Sequence, residues 1–230
     1  MNHKIFGHIR KELDNANIQL GTERGEAPDA AGTGRRFSHM LAIAPNASSS
    51  IIMGNTSPSI EPLRANAYRQ DTLSGSSLNK NKWLDRIIKQ KLGESDFADV
   101  GEKYNEIWSS IIANDGSVQH LDILDDWTKD VFKTSMEIDQ RWLIQHAADR
   151  QQYIDQAQSV NLFFRPDSNI KYIHAVHFQA WKQGLKTLYY CRSEKIGKAD
   201  KISKKIERQV MHEIDLKALA TEDVCLACEG

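Results

Sequence analysis

Cys225 and Cys228 form a Cys-x-x-Cys pair in the last six residues of the sequence. Thiols this near the end have little chain beyond them to hold, so they are poorly placed to staple a core. A pair so placed can swing, reach a buried disulfide and reduce it by thiol–disulfide exchange. Half of a zinc site is the competing chemistry, but structural zinc normally takes four Cys or His ligands. Only Cys191 and His212 are on hand to complete such a set. Pro45-Asn46-Ala47-Ser48-Ser49 is the second group. It lies between an apolar run and the start of a helical one. Helix N-termini carry unpaired N–H groups and the positive end of the dipole, which suits a phosphate. The same residues also read as an ordinary serine-capped helix start, and local physics favours that reading. Tyr189-Tyr190 is the third group. Adjacent side chains of a regular strand point to opposite faces, giving one core tyrosine and one surface or interface tyrosine. A redox pair of phenols requires the backbone there to leave regular strand geometry.

Positioning these groups falls to alternating strands and helices. Ile5, Ile9, Leu13, Ala16 and Leu20 share a helical face, with Gly21 as a natural stop. Residues 21–36 read as a long loop. Phe37–Ala44 is strand-like and ends at Pro45. Asn66–Leu73 and the segment after Ser74-Gly75-Ser76 read as a β-hairpin. Helical faces follow at Trp83, Leu84, Ile87, Ile88 and Leu92, and at Tyr104, Ile107, Trp108, Ile111 and Ile112. A long helical pattern, broken once, spans about Asp125–Ser159. Val160–Phe164 reads as a buried strand. Ile170, Ile173, Val176, Ala180 and Trp181 predict a helix closed by Gly184, and Leu185–Tyr190 a last strand. The sequence turns polar from Arg192. This order indicates an α/β protein with parallel strands. Three such strands cannot close a barrel and leave bare edges, so the core is expected to be shared.

Composition agrees. Of 230 residues only 40% are hydrophobic, and mean hydropathy is −0.55. Thirty basic and 31 acidic residues leave a net charge of −1, which supplies no general field for a nucleic acid polymer or a membrane surface. The basic run Lys195–Arg208 is interleaved with acids and reads as a solvated helix face. Three cysteines argue against a secreted disulfide framework. His39, His120, His146, His174 and His177 are scattered and read as packing or surface residues, so no metal site is expected. Asp125-Asp126 reads as an acidic helix start.

Taken in order, LGTERGEAPD (20–29), GTGRR (32–36), LAIAPNASSS (41–50), TSPSIEP (56–62), LSGS (73–76), EIDQRWLI (137–144), IDQAQSVNLFF (154–164), HFQAWKQGLKTLYY (177–190) and CLACEG (225–230) resemble the large, catalytic (alpha) subunit of class I ribonucleotide reductase. The wording of these segments has a bacterial or phage-like flavour. The resemblance implies the C-terminal part of a ten-stranded α/β barrel, completed by a separate N-terminal chain. Residues 1–191 would form that part of the reductase barrel domain, and 192–230 a polar helix and flexible redox-active tail. A ribonucleoside diphosphate would rest its phosphates on Pro45, Asn46, Ala47, Ser48 and Ser49. The family often has glutamate and threonine where Ala47 and Ser48 stand, so any role of that glutamate side chain is lost. Tyr189 would lie next to a thiyl-forming cysteine and Tyr190 would face the small (beta) radical-generating subunit. Cys225 and Cys228 would re-reduce the active-site disulfide and then be reduced by thioredoxin or glutaredoxin. No cofactor is implied for this chain itself; the radical cofactor, a di-metal/tyrosyl centre, belongs to the small subunit. A cytoplasmic location follows, in a bacterium or a phage-infected host.

The departure is that the family needs three more cysteines, an asparagine and a glutamate upstream, and this sequence has no cysteine before Cys191. Alone it is expected to be inactive. Two other readings stand beside a split subunit. One is an inert remnant that binds the small subunit or a nucleotide. The other is a stand-alone dithiol carrier.

Overall fold

The computed structural model describes residues 1–54, 57–72, 75–93 and 99–193. Helix α1 (Asn2–Arg24) is followed by a 3₁₀ turn (Pro28–Ala30) and a short helix α2 (Ala47–Ile52). The hairpin β1 (Ala67–Thr72) and β2 (Gly75–Lys80) leads into α3 (Lys82–Gly93) and α4 (Val100–Ala113). Then come α5 (Asp126–Val131), α6 (Gln140–Gln151), β3 (Leu162–Phe164), α7 (Ile170–Lys182) and β4 (Cys191–Ser193). The hairpin is antiparallel, in register from Ala67 with Lys80 to Thr72 with Gly75. β3 and β4 are parallel, with Leu162 opposite Cys191.

Two apolar clusters hold these elements. Leu84, Ile88 and Leu92 of α3 pack with Ile107, Trp108 and Ile111 of α4, over Val118, Leu121, Leu124 and Phe132. Their i, i+4 spacing is what makes both helices amphipathic. Trp83 and Ile112, expected on those faces, are exposed. The second cluster joins Ile144 of α6, Leu162 and Phe164 of β3, and Val176 and Ala180 of α7. Ile170 and Trp181, expected on the apolar face of α7, are exposed at 74% and 72%.

Several expected boundaries move, each for a local reason. Gly21 does not stop α1, which runs on to Arg24 and ends at Gly25, whose φ is +78°. Gly21 is instead a close-approach residue, since a Cβ there would sit 2.4 Å from the Gly34 carbonyl oxygen. Residues 21–36 are therefore helix end, 3₁₀ turn and tight turns folded back on α1, with Glu26 accepting the Gly32 N–H at 2.6 Å and the Gly34 N–H.

Phe37–Ala44 does not form a strand. The Phe37 N–H donates to Asn17 Oδ1 and the Met40 N–H to Asp155, so side chains take the donors a ladder would need. Only Ile43 makes a β-bridge, parallel, to Gln158. The long helical pattern resolves into α5 and α6, capped by Asp125 and Asp139. It stops at Gln151, well short of Ser159. Leu185–Tyr190 is not a strand either. A Schellman motif closes α7, with Gly184 at φ +77°, its N–H on Trp181 O and the Leu185 N–H on Ala180 O. That spends the first residues of the segment on the helix end, and the ladder starts at Cys191.

Gly21→Ala is expected to destabilise the chain by about 1–3 kcal/mol, because a methyl group there overpacks backbone against backbone. The midpoint of urea denaturation, compared with Gly25→Ala as a strained but uncrowded control, checks it.

Candidate functional site

Residues 155–164 form the spine of the site. On one side the Gln156 N–H donates to Leu41 O, the Ile43 N–H to Ala157 O and the Ser159 N–H to Ile43 O. On the other side the Tyr189 N–H donates to Val160 O at 2.8 Å and the Leu162 N–H to Tyr190 O at 2.9 Å. The segment that leads into Pro45 and the segment that carries the tyrosines thus flank one central stretch. Asp155 pins its start. Burial pushes this carboxyl up, but the Met40 N–H and Arg10 outweigh it and hold it below the usual range.

Buried polar side chains keep the spine in place. Gln158, fully buried, donates to Ala147 O and Gln151 Oε1 and accepts from Arg150 Nε. Asn161 is 5% exposed, and its Oδ1 accepts the Tyr190 N–H at 3.4 Å. Glu61, 4% exposed, accepts the Asn161 N–H through Oε1. Its Oε2 is buried with no hydrogen-bond partner. Burial pushes the Arg150 guanidinium down, and the nearby Glu61 carboxylate opposes that shift. Gln140 fixes the far end, since its Oε1 accepts the Phe163 N–H at 2.9 Å.

The tyrosine rings are brought together. Their centroids lie 4.1 Å apart at an interplanar angle of 50°. Residues 189 and 190 lie outside any strand, just before β4 begins at Cys191. Both residues are partly open, at 46% and 41% exposure, and the Arg192 guanidinium lies over the Tyr190 ring. Cys191 is exposed beside them.

At the expected phosphate corner, Pro45, Asn46 and Ser49 are exposed. α2 begins at Ala47, so Ala47, Ser48 and Ser49 make up its first turn. The Asn46 N–H donates to Pro58 O at 2.8 Å, and Asn46 Nδ2 to Ala44 O. Cys225, Cys228 and the run Lys195–Arg208 lie outside the described residues.

Sequence reasoning missed Glu61, Arg150, Gln158 and Asn161. The available signal was polar residues inside or beside a buried run, Gln158 and Asn161 about Val160–Phe164, because buried polar groups must be hydrogen-bonded. Among the described residues no group of three or more His, Cys, Asp or Glu is placed to hold a metal. No described helix is long and apolar enough to cross a membrane.

The fold and site define a portion of a barrel-type α/β architecture, open among the described residues. The barrel-domain model of ribonucleotide reductase matches residues 23–191. Over 205 residues the chain is 58% identical to the ribonucleoside-diphosphate reductase large subunit of Invertebrate iridescent virus 6, covering 88% of this chain and 21% of that protein. Over 230 residues it is 52% identical to the large subunit of Invertebrate iridescent virus 3, covering 100% and 34%. The class Id ribonucleotide reductase alpha subunit of Actinobacillus ureae superposes with a TM-score of 0.72 at 38% identity, covering 84% of this chain and 34% of that one. The chain belongs to the ribonucleotide reductase barrel-domain family. It spans between 21% and 34% of the length of these two viral relatives.

The frame of the site holds one carboxyl well below its ordinary value. Asp139 accepts from Arg141 and from the Tyr172 hydroxyl, which in turn accepts the Gln140 N–H. Arg141 outweighs burial and, with its own N–H and Tyr172, holds the Asp139 carboxyl down at about 2. A depressed folded value means that stability is fully present above the unfolded value of about 4 and is lost as pH falls through the folded one. Wild type is therefore expected to lose stability between about pH 4 and pH 2, and Asp139→Asn to lose less in that window. Denaturation midpoints across the acid range check this.

Proposed function

We propose that this chain is the C-terminal component of a ribonucleoside-diphosphate reductase large subunit. The observation that carries the reading is the Tyr189–Tyr190 pair at 4.1 Å, on the spine that also supports the Pro45 corner, in a chain of this family. In this reading the barrel is completed by the N-terminal part of the large subunit, which brings the thiyl-forming cysteine and the cysteine pair that is oxidised.

Each group then has one step. At the Pro45-Asn46-Ala47-Ser48-Ser49 corner, the backbone N–H groups of Ala47, Ser48 and Ser49 and the serine hydroxyls take the diphosphate of the ribonucleotide, while Pro45 and Asn46 shape the entry to α2. The small subunit, which holds the radical cofactor, oxidises Tyr190 by one electron with loss of the phenolic proton. The Tyr190 phenoxyl radical takes one electron and one proton from Tyr189, and Tyr189 takes the same from the upstream thiol. Ring contact supports that exchange. Ribose reduction leaves a disulfide in the barrel. The Cys225 and Cys228 thiols reduce it through a mixed disulfide, giving up two electrons and two protons, and thioredoxin or glutaredoxin restores them.

The test is a reconstitution with the upstream part of the large subunit, the small subunit and thioredoxin. Deoxynucleotide formation is expected only in the full mixture. Tyr189→Phe and Tyr190→Phe, which keep ring shape, are expected to reduce it to background. Cys225→Ser is expected to permit a first turnover and block later ones, with partial rescue by a small dithiol that enters the barrel. Turnover unaffected by Tyr190→Phe would favour an inert scaffold, and equal loss with both reductants would count against the shuttle.

A further inference from the structure

Glu61 is a buried carboxylate that neither the phosphate corner nor the phenol pair uses directly. Burying a carboxyl group is costly unless its oxygens find partners. Here Oε2 has no partner, and the Arg150 charge acts without a direct contact among the described ion pairs. Local stability therefore gives a weak reason for the carboxylate. Its connections give a better one.

Glu61 stands at the meeting of two hydrogen-bonded routes. Behind it, the Ser57 hydroxyl donates to the Glu61 carbonyl at 2.9 Å, and the same loop accepts the Asn46 N–H at Pro58 O at 2.8 Å. That route ends at the corner where α2 begins. Ahead of it, Oε1 accepts the Asn161 N–H and Asn161 Oδ1 accepts the Tyr190 N–H. That route ends at the phenol pair. Glu61 and Asn161 are both buried, at 4% and 5% exposure, so the bond between them lies in the interior.

We propose that Glu61 is a positioning residue that fixes the Pro45–Ser49 corner and the Tyr189–Tyr190 pair in one register. This rests on the functional reading above. The corner arm attaches at the Glu61 backbone carbonyl and the Asn161 arm at Oε1, so glutamine keeps the two joined and alanine parts them at Oε1. Asn161→Ala keeps the backbone N–H on Glu61 and cuts only the arm to Tyr190.

Two measurements separate the inference from the reading beneath it. The full 230-residue chain is labelled with 3-fluorotyrosine, and the Tyr189 and Tyr190 resonances are assigned by Tyr→Phe variants. Glu61→Ala and Asn161→Ala are expected to displace the Tyr190 resonance, and Glu61→Gln to leave it near wild type. Glu137→Ala serves as control, because that carboxylate ties Ser117 and Thr134 away from the pair. In the reconstituted enzyme Glu61→Ala is expected to lower kcat about 10- to 100-fold, the scale of an ångström-level misplacement, and to raise KM for the diphosphate. Asn161→Ala is expected to lower kcat with KM unchanged.

A Tyr190 resonance no more displaced by Glu61→Ala than by Glu137→Ala would overturn the proposal. So would Glu61→Gln behaving like Glu61→Ala. Should Glu61→Ala not fold, an unmoved Tyr190 resonance in Asn161→Ala has the same force. Absence of turnover in the wild-type mixture would count against the functional reading instead, while the resonances still decide the coupling.

Discussion

Residues 155–164 must satisfy their backbone on two sides at once, and the rest of the site follows from that. One flank takes Leu41 and Ile43, the other Tyr189 to Ser193. Unpaired backbone groups in an interior are costly, so neither flank can drift without a penalty. The stretch is also threaded with polar side chains. Gln158 holds Ala147, Gln151 and Arg150, and Asn161 holds Tyr190. A network of this kind is costly when half-satisfied and specific when complete. It sets the register that puts two adjacent phenols against each other.

The helices were legible because their signal is periodic and local. Leu84, Ile88 and Leu92, and Ile107, Trp108 and Ile111, repeat at helical spacing and are buried as that spacing demands. The hairpin and the buried run ending in Phe164 were legible for similar reasons. The other segments expected as strands were not. Phe37–Ala44 has strand composition, but its donors go to Asn17 and Asp155, one over a hundred residues away. Leu185–Tyr190 loses its first residues to the closure of α7, which Gly184 announces but does not measure. Exposed Trp181 and Ile170 show the limit of periodicity, which finds a face without saying how wide the buried stripe will be.

The candidate site was legible in its parts and not in their connection. The tyrosines and the Pro45 corner stood out by residue type, and the family resemblance gave them roles. Tyrosine contact arises outside any strand, just before β4, and no dipeptide encodes that. Glu61 was invisible because its partner, Asn161, lies 100 residues away along the chain. Burial of a carboxylate is a tertiary fact. Meanwhile the chain covers only a part of each relative it resembles, and its sheet is short: β3 and β4 pair only with each other among the described residues, apart from the bridge at Ile43. An α/β protein of this kind normally buries its parallel strands on both sides. The short sheet and the low apolar content are what the proposed sharing of a core would require.

Hydrogen–deuterium exchange tests that shared core most directly. Amide uptake at residues 189–193 and 41–46 is measured in the chain alone and with a saturating amount of the upstream part of the large subunit. Exchange there is expected to slow when the upstream part is added, while uptake in α3 and α4 stays as it was. Unchanged uptake at 189–193 and 41–46 under saturating conditions would contradict the shared core.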